Sequence, residues 1–587
     1  IKSDTVVKTA YNAQFERVCL SRYLKLPEGE YLNPQSWYCT AVQAAELALP
    51  LSLADVGSVL GLERQKMTEG KELIKYFCVP CKPTKSNGNR TRNRPCHDIN
   101  KWETFKKYCM RDVDVERQIA DKLKMYPISD EEHRLYVLDQ IINDRGVLVD
   151  CELAKQAVKL NSIQSAVAVE QAYMITGLEN PNSVTQLKQW LKENGVEIES
   201  LSKKAVKSLA DETDGDVSKM LKLRLLMAKT SVKKYEAVIR SVCSDNRVHG
   251  MMRFCGANRT GRWSGNILQP QNLPQNHLPD LTLARDIVKD GDFEMLDMMF
   301  GNVPNVLSEL IRTVLIPKPN HRFIVADFSV IEARVLAWIA GEQWRIDTFK
   351  NGGDIYCASA SKMFKVPVEK NGVNGELRQK GKISELACGY GGSVGALKNM
   401  GAVEMGVQEN ELQGLINDWR NANPHIVRFW YEVGNAAMKA IKEKTTVPLG
   451  KLVFAYERGI LFIRLPSGRR LSYIKPRIGT NRFGGDSITY MGINSAKKWD
   501  RLETFGGKLT ENIVQGTARD LLANALINAA NAGYDTVFHV HDEIICEVPN
   551  GYGSVDELCR LMCIKPEWAD GLPLNADGFE CEYYKKE

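Results

Sequence analysis

Two segments that lie far apart in the sequence carry carboxylates in positions suited to metal chemistry. Phe323 to Ala326 form a short apolar run typical of a buried strand, and Asp327 follows it directly. Residues 536–548 predict two strands, Thr536 to Val540 and Ile544 to Val548, joined by a tight turn that contains His541, Asp542 and Glu543. Either aspartate alone is also typical of an ordinary turn. Carboxylates brought together from separate strands repel unless a cation lies between them, so the pair indicates a Mg²⁺ site.

A third segment lies between these two and carries cations at helical spacing. Arg378, Lys382, Leu386 and Tyr390 are four residues apart and therefore share one helical face. An amphipathic surface helix is the alternative interpretation. The glycines that follow, at positions 389, 391 and 392, favour a pivot or the close approach of a ligand. Metals and fixed cations together predict phosphoryl transfer on a polyphosphate substrate.

The elements that position these residues belong to a large, ordinary globular chain. With 587 residues, 44% hydrophobic and 26% charged, the sequence predicts several folded domains and excludes long disorder. The 15 cysteines are irregularly spaced and no secretory signal opens the chain, so we expect a reducing cytoplasm. No window approaches the roughly 20 apolar residues of a membrane helix. Residues 1–127 predict a small α/β region, residues 128–250 are mostly helical, and mixed strands and helices follow Asn258.

The net charge of +6 belongs entirely to the first of these regions. Residues 1–127 hold 21 Lys and Arg against 15 Asp and Glu, whereas residues 128–587 hold 57 of each. Part of the surplus lies in one Pro- and Asn-bearing stretch, which contains Lys82, Lys85, Arg90, Arg92 and Arg94. A solvated loop and a phosphate contact are both compatible with this stretch. Since the chain opens with Ile1 and an early apolar run, we expect a fragment of a longer protein.

The order of the motifs resembles that of the family A DNA polymerases, the family of bacterial DNA polymerase I. Segments 327–334, 378–391 and 540–543 resemble its motifs A, B and C. Segments 260–264 and 271–274 are similar to its primer-strand motif, and segment 515–520 is similar to its glutamine helix. Trp37 to Thr40, Lys71 to Cys78 and Tyr108 to Asp112 look like the bacteriophage-type branch, which predicts a phage or prophage origin. The resemblance implies an α+β right-hand fold of palm, fingers and thumb.

The resemblance also assigns the catalytic residues. It implies that Asp327 and Asp542 hold two Mg²⁺ ions, for which Mn²⁺ is a possible substitute, with Glu543 beside them and the Phe328 carbonyl as a further ligand. One ion would lower the pKa of the primer 3′-hydroxyl, and the other would hold the triphosphate and the leaving pyrophosphate. Lys382 is implied to protonate the leaving group.

Nucleotide and DNA contacts follow from the same motifs. The resemblance places Arg378 and Lys382 on the incoming triphosphate and Tyr390 beside the templating base, with nearby glycines letting the fingers helix close. Glu332 would block a ribose 2′-hydroxyl, so dNTPs are the expected substrates. Leu386 stands where the family has Phe or Tyr near the nucleotide sugar, which puts discrimination against dideoxynucleotides in question. Contacts to the primer terminus and the nascent pair would come from Arg262, Gln515 and His541.

The N-terminal region resembles part of the family's RNase H-like 3′–5′ exonuclease domain. Its second motif matches at Asn12 and Glu16, where Glu16 replaces an Asp, and its third matches at Tyr108 and Asp112. The first motif, Asp-x-Glu on a preceding strand, has no counterpart, because Asp4 is the sole carboxylate before Tyr11. We therefore expect a truncated exonuclease domain that does not proofread.

A zinc site is a further hypothesis for the same region. Cys78 and Cys81 have the x2 spacing of a thiolate pair, and Cys96 with His97 supplies two more possible ligands. The order of these residues is not that of a strong zinc-finger motif. Free or packed thiols are the alternative that the spacing favours.

Three functions remain to be compared. Template-directed DNA synthesis is the leading one, with primer-template DNA and dNTPs as partners and a monomer as the expected state. A single-subunit RNA polymerase is disfavoured by Glu332, and a silent DNA-binding scaffold is disfavoured because it needs no pair of repelling carboxylates. The implied domains are an exonuclease-like region (1–127), a helical connection and thumb (128–250), palm (251–340 and 441–587) and fingers (341–440).

Overall fold

The computed structural model describes residues 1–63, 65–227, 232–481 and 484–586. The N-terminal region holds a parallel pair of short strands and five helices. The strands are β1 (Lys8–Ala10) and β2 (Trp37–Cys39), and the helices are α1 (Ala13–Tyr23), α2 (Thr40–Glu46), α3 (Leu53–Val59), α4 (Gly70–Cys78) and α5 (Ile99–Leu123). The predicted boundary near Pro127 falls in the connection to the next helix.

The middle of the chain, residues 130–340, is mostly helical and includes the central strand β8. Its helices are α6 (Asp130–Arg145), α7 (Cys151–Thr176), α8 (Val184–Glu193), α9 (Lys203–Glu212), α10 (Gly215–Met227), α11 (Lys233–Ser241), α12 (Leu281–Asp290), α13 (Phe293–Phe300), α14 (Val303–Leu310) and α15 (Ile331–Ala340). Its strands are β3 (Val147–Val149), β4 (Arg247–Val248), β5 (Met252–Ala257), β6 (Arg262–Gly265), β7 (Leu315–Ile316) and β8 (His321–Phe328).

Eight described helices, a second sheet and three further strands of the central sheet complete the chain. The helices are α16 (Gln343–Lys350), α17 (Ile355–Phe364), α18 (Leu377–Cys388), α19 (Val394–Asn399), α20 (Leu412–Ala422), α21 (Pro424–Glu443), and then α22 (Gly506–Asn531) and α23 (Val555–Met562). The strands are β9 (Thr446–Leu449), β10 (Leu452–Glu457), β11 (Ile460–Arg464), β12 (Arg470–Thr480), β13 (Asp486–Ile493), β14 (Trp499–Thr504), β15 (Thr536–Val540), β16 (Glu543–Pro549) and β17 (Ala576–Cys581).

The central sheet has four antiparallel strands in the order β15-β16-β8-β17. Alternate residues of β8 lie in different cores: Ile324 and Ala326 pack with α15, α18 and α22, whereas Phe323 and Val325 pack with α7 and α14. Because both faces are covered, the segment from Phe323 to Ala326 is apolar without alternation, which is why its sequence predicts a buried strand. The C-terminal end of β8 and the N-terminal end of β16 therefore lie next to each other at a protected edge of the sheet.

A second, six-stranded sheet of residues 446–504 was not predicted from the sequence. It is an antiparallel meander in the order β14-β13-β12-β11-β10-β9. On β11, Leu461 and Ile463 face the core shared with α21 and α22, and Ile460 and Phe462 face a core formed with α2, α3 and α5. This sheet is therefore the layer between the N-terminal region and the helices that follow α20.

No helix among the described residues is long and apolar enough to cross a membrane. The apolar residues Val335, Leu336 and Trp338 of α15 are instead buried in the core of the central sheet.

Candidate active site

The sequence-predicted carboxylates meet at the edge of the central sheet. Asp327 on β8 pairs in register with Glu543, the first residue of β16. The backbone N–H of Phe328 donates to the carbonyl of Asp542 at 3.2 Å, which fixes the turn between β15 and β16 against β8. His541 in this turn has φ 56°, so the turn holds a non-glycine residue in the left-handed region. The predicted strands and their junctions are thus confirmed, with Glu543 moved from the turn into the strand.

Burial and mutual repulsion disfavour the charged forms of these carboxylates. Burial raises the pKa of Asp542 to about 7, and the neighbouring Asp327 adds to the shift. Burial also raises the pKa of Asp327 and of Glu543, although the ammonium of Lys586 opposes both shifts. Three acidic groups in one partly closed place need compensating positive charge.

The donor set at this edge fits hard divalent cations. The Oδ1 atom of Asp327 is buried and makes no hydrogen bond within the described part of the chain, so it can accept a bond from a cation or a donor. Carboxylate and carbonyl oxygens are the ligands that Mg²⁺ prefers. No group of three or more His, Cys, Asp or Glu side chains is arranged as a metal site among the described residues, so the fit rests on two aspartates and a backbone carbonyl.

Glu332 at the start of α15 is held from two sides. Its Oε1 accepts from Arg262 Nη2 at 2.7 Å, and its Oε2 accepts from the Tyr390 hydroxyl at 2.7 Å. Burial and the Glu332 charge raise the pKa of Tyr390 well above its ordinary value. Three residues predicted to contact nucleotide or primer therefore form one hydrogen-bonded unit, which fixes the carboxylate of Glu332.

Helix α18 carries the predicted triphosphate grip, with one correction. Arg378, Lys382 and Leu386 lie on the helix, but Tyr390 lies two residues beyond its end at Cys388, so the predicted stripe of four on one helix is wrong at its last member. The helix ends because Gly389 begins a turn that continues through Gly391 at φ 80°. Leu386 is 52% exposed, and its place near a nucleotide sugar stays a prediction.

The two cationic side chains of α18, Arg378 and Lys382, differ in whether another protein group already binds them. Arg378 is bound to Asp354 through Nε at 2.9 Å and Nη2 at 2.8 Å. Lys382 is exposed and has no hydrogen bond or ion pair in the described part of the chain. An incoming anion can therefore reach Lys382 without competition, whereas it must compete with Asp354 for Arg378.

The glycines after α18 serve close packing. A Cβ on Gly507, at the start of α22, would lie 2.3 Å from the Tyr390 carbonyl oxygen, and one on Gly392 would lie 1.9 Å from the Ala387 carbonyl oxygen. Trp430 Nε1 also donates to the Gly389 carbonyl at 3.0 Å. The end of α18 is thus held tightly to α21 and α22, and a pivoting role for these glycines stays a prediction.

Two of the predicted DNA contacts, Arg262 and His541, lie near the acidic edge of the central sheet. Gln515 on α22 is half-buried, and its amide reaches Glu511 at 3.5 Å. His541 is largely exposed, and the partial desolvation of its ring together with the Arg262 charge lowers its pKa. Arg262 is itself bound to Glu332. Their contacts to a primer stay predictions.

The predicted exonuclease residues form a separate acidic group between α1 and α5. Burial raises the pKa of Glu16 to about 7, with Glu116 as a further cause. Asp112 is paired with Lys66 at 2.9 Å. Tyr108 is buried and lies beside the same lysine, whose Nζ is 5.1 Å from the ring centroid. Asn12 precedes α1 in the left-handed region without capping it through its side chain.

Asp4 is not part of this acidic group. Its Oδ2 accepts from Asn33 at 3.1 Å, outside strand β1. The sheet beside Glu16 and Asp112 is the two-stranded β1-β2 pair. The carboxylate pair that the first exonuclease motif would supply therefore has no counterpart on the strand before α1 within the described residues.

The zinc hypothesis is not supported. Cys81 bonds the Arg90 carbonyl at 3.3 Å, His97 Nδ1 accepts from the Arg94 N–H at 2.8 Å, and Cys78 and Cys96 are exposed. The structure does not bring these four side chains together as a metal site in the described chain. Free thiols, the favoured alternative, fit this geometry. The basic stretch from Lys82 to Arg94 is a largely exposed loop, and its contact with phosphate stays a prediction.

Sequence reasoning missed several residues that position the site. Glu385 on α18 receives two bonds from buried Arg345, at 2.8 and 2.5 Å, and one from Trp419 at 2.9 Å. Asp354 and Lys586 were also missed. Each lies far in sequence from the group it contacts, so no local spacing could have indicated it. Glu385 precedes Leu386 by one residue, so its side chain lies about 100° around α18 from the predicted nucleotide-facing stripe.

Comparison with known proteins reveals clear relatives. A family model described as DNA polymerase family A matches residues 151–563. The DNA polymerase of Bacillus phage SP02 is 52% identical over 590 residues, covering 100% of this chain and 90% of that protein. DNA polymerase I of Rhizobium leguminosarum is 29% identical over 40% of this chain, and the thermostable DNA polymerase I of Thermus aquaticus is 27% identical over 44%. These matches span 20% and 27% of those two longer proteins.

A solved structure supports the same fold. The POL domain of Pol1 from M. smegmatis, determined in complex with DNA primer-template and dNTP, superimposes with a TM-score of 0.62. The match covers 99% of this chain and 86% of that one at 19% identity. The right-hand architecture that the motifs implied is therefore confirmed.

Proposed function

The chain belongs to DNA polymerase family A and catalyses template-directed DNA synthesis, and we propose that Asp327 and Asp542 hold the divalent cations of that reaction. The observation that carries this proposal is the register that brings Asp327 opposite Glu543 and binds the Asp542 carbonyl to the Phe328 N–H. When bound, two Mg²⁺ or Mn²⁺ ions would activate the primer 3′-hydroxyl and stabilise the leaving pyrophosphate.

The chain's own residues select and orient the nucleotide. Lys382, exposed and unpaired within the described residues, attracts the triphosphate and is placed to give a proton to the leaving group. Arg378 is held by Asp354, so it presents its guanidinium in one orientation. Glu332, fixed by Arg262 and Tyr390, excludes a 2′-hydroxyl by occupying its space, which supports dNTPs over ribonucleotides as substrates.

The relatives support a proposal for the partners and setting. We propose primer-template DNA and dNTPs as the ligands, because the Pol1 structure contains both. A monomer acting in phage or prophage DNA replication in the bacterial cytoplasm is consistent with the 52% identical phage polymerase. The assignment of residues 128–250 to the thumb, 251–340 and 441–587 to the palm, and 341–440 to the fingers is part of the same proposal.

Primer extension with Mg²⁺ and all four dNTPs tests the metal assignment. We expect Asp542→Ala to lower the extension rate about 10³-fold, since losing a metal ligand removes several kcal/mol of transition-state stabilisation. Asp556→Ala removes an exposed carboxylate on α23 and should leave the rate unchanged. Equal rates for Asp542→Ala and wild type would contradict the assignment.

A further inference from the structure

The segment after β17 runs across the palm and is tied down at several points. Tyr584 is fully buried, packs edge-on against Phe538 with ring centroids 5.0 Å apart, and donates its backbone N–H to the Leu315 carbonyl. Its hydroxyl accepts from Arg312 at 3.0 Å and donates to Glu543 Oε1 at 2.7 Å. The backbone of this segment is therefore fixed next to the acidic edge of the central sheet.

Two residues further on, this segment delivers a cation to the carboxylates. The Nζ atom of Lys586 lies 3.2 Å from Asp327 Oδ2 and 3.0 Å from Glu543 Oε2. Its backbone N–H donates to Asn276 Oδ1 at 3.1 Å, so the residue is held at both ends. Burial favours the neutral amine, but Glu543 and Asp327 outweigh it and raise the pKa of Lys586. A positive charge thus bridges two strands whose carboxylates would otherwise repel.

These bonds divide the carboxylate oxygens into two groups. Both oxygens of Glu543 are occupied, Oε1 by Tyr584 and Oε2 by Lys586. Asp327 keeps one oxygen without a hydrogen bond among the described residues, Oδ1, while Oδ2 is shared with Lys586. A divalent cation can therefore approach Asp327, but it meets the lysine charge there, whereas Glu543 stays bound to protein groups.

We infer that Lys586 is a resident counter-cation of the metal centre, which pairs with Asp327 when no divalent ion is bound and must yield that oxygen when one binds. The inference rests on the proposed function, because it takes Asp327 and Asp542 as the metal ligands. It goes further by assigning Lys586 a role as a positioning residue: it keeps the carboxylates together without metal and lowers their affinity for divalent cations. Its retained bond to Glu543 keeps that side chain out of the set of metal ligands.

Binding of Mn²⁺ alone, without DNA or nucleotide, tests the inference. We expect Lys586→Gln to bind Mn²⁺ about tenfold more tightly than wild type, measured by the electron paramagnetic resonance signal of free Mn²⁺ at fixed pH and salt. Lys585→Gln removes the same formal charge one residue away, where Nζ lies 5.6 Å from the Phe579 ring centroid, and should change the affinity much less. A purely structural role predicts the opposite sign, because a disordered centre binds metal more weakly.

Thermal melting gives a second readout that also verifies folding. In EDTA, Lys586→Gln should melt at a lower temperature than wild type, because the carboxylates lose their counter-charge, and saturating Mn²⁺ should remove most of that difference. Unchanged or weaker Mn²⁺ binding by Lys586→Gln would overturn the inference. Mn²⁺ binding that is identical in wild type and Asp327→Asn would instead overturn the proposed metal centre, so the two failures are distinguishable.

Discussion

Two acidic groups in this molecule invite comparison, one at the edge of the central sheet and one between helices α1 and α5. Both contain a buried carboxylate oxygen that makes no hydrogen bond in the described chain: Asp327 Oδ1 in the first group, and Asp112 Oδ1 and Glu16 Oε2 in the second. Both also contain a carboxyl group whose pKa burial raises to about 7, Asp542 and Glu16. Burial and unmet hydrogen bonds therefore do not distinguish the proposed metal centre from the predicted exonuclease remnant.

The difference lies in how the backbone brings the carboxylates together. At the sheet edge, Asp327 and Glu543 are direct partners on adjacent strands, so their separation is fixed by the pairing register. In the second group, Glu16 and Asp112 come from separate helices, and the charge that acts on Glu16 is that of Glu116, one turn beyond Asp112. Strand pairing thus fixes the separation of Asp327 and Glu543, whereas no strand pairing connects Glu16 with Asp112.

Removing one carboxylate from each group gives the largest expected contrast. Asp327→Ala should lower primer extension about 10³-fold, whereas Asp112→Ala should leave extension unchanged, because only the first lies at the proposed reaction centre. We also expect wild type not to degrade a mismatched primer in Mg²⁺. Primer degradation that is present in wild type and lost in Asp112→Ala would show that the helical group is a working nuclease site and would remove the contrast.

The predicted contact of Leu386 with the nucleotide sugar supplies a second, smaller contrast, because it concerns the polymerase group alone. Leu386→Tyr should change the ratio of dideoxynucleotide to deoxynucleotide incorporation by about tenfold, because a hydroxyl beside the sugar adds a hydrogen-bond partner that distinguishes the two substrates. Single-nucleotide insertion with matched nucleotide pairs measures the ratio, and Leu386→Met controls for the change in packing. An unchanged ratio for Leu386→Tyr would remove this residue from the sugar pocket.

The smallest expected effect concerns stability and belongs to the helical group. The pKa of Glu16 is about 7 in the folded chain, above its ordinary value of 4.5, so the folded state binds the proton more tightly than the unfolded state. The contribution of Glu16 to stability is therefore fully present below pH 4.5 and is lost as pH rises through about 7. Glu16→Gln removes this dependence.

Melting temperatures across that window provide the measurement. The melting temperature of Glu16→Gln should rise by a few degrees relative to that of wild type as pH increases from about 5 to about 7.5. Glu103→Gln, which changes an exposed glutamate on α5, should show no such trend. A constant difference between Glu16→Gln and wild type at all pH values would mean that Glu16 does not titrate in this window.

Local sequence patterns predicted the strands and helices that carry the site. They did not predict contacts between residues that are far apart in the sequence. The strand before Asp327, the hairpin around Asp542 and helix α18 each have a recognisable periodicity, and all three are confirmed. The end of α18 before Tyr390 depends on packing of α21 and α22 against the turn, which no spacing reveals. The bond between Asp354 and Arg378 spans 24 residues, and that between Lys586 and Asp327 spans 259, so neither has a local signature.

The charge balance also changes once the fold is known. The equal numbers of acidic and basic residues after Pro127 concealed an uneven distribution, because residues 446–504 hold eleven Lys and Arg against four Asp and Glu. These residues are the six-stranded sheet. Dividing the charge count at Pro127 therefore missed that the six-stranded sheet is a basic layer.

That six-stranded sheet also determines whether the chain can be divided. Phe462 and Ile460 contribute to one core while Leu461 and Ile463 contribute to another, so a single strand is shared by the regions on either side of the linker near Pro127. Cutting the protein at this linker would expose an apolar sheet face on one fragment and the matching faces of α2, α3 and α5 on the other. The molecule should accordingly unfold in one calorimetric transition, and engineered polymerases made by deleting the N-terminal region would aggregate unless that face were first made polar.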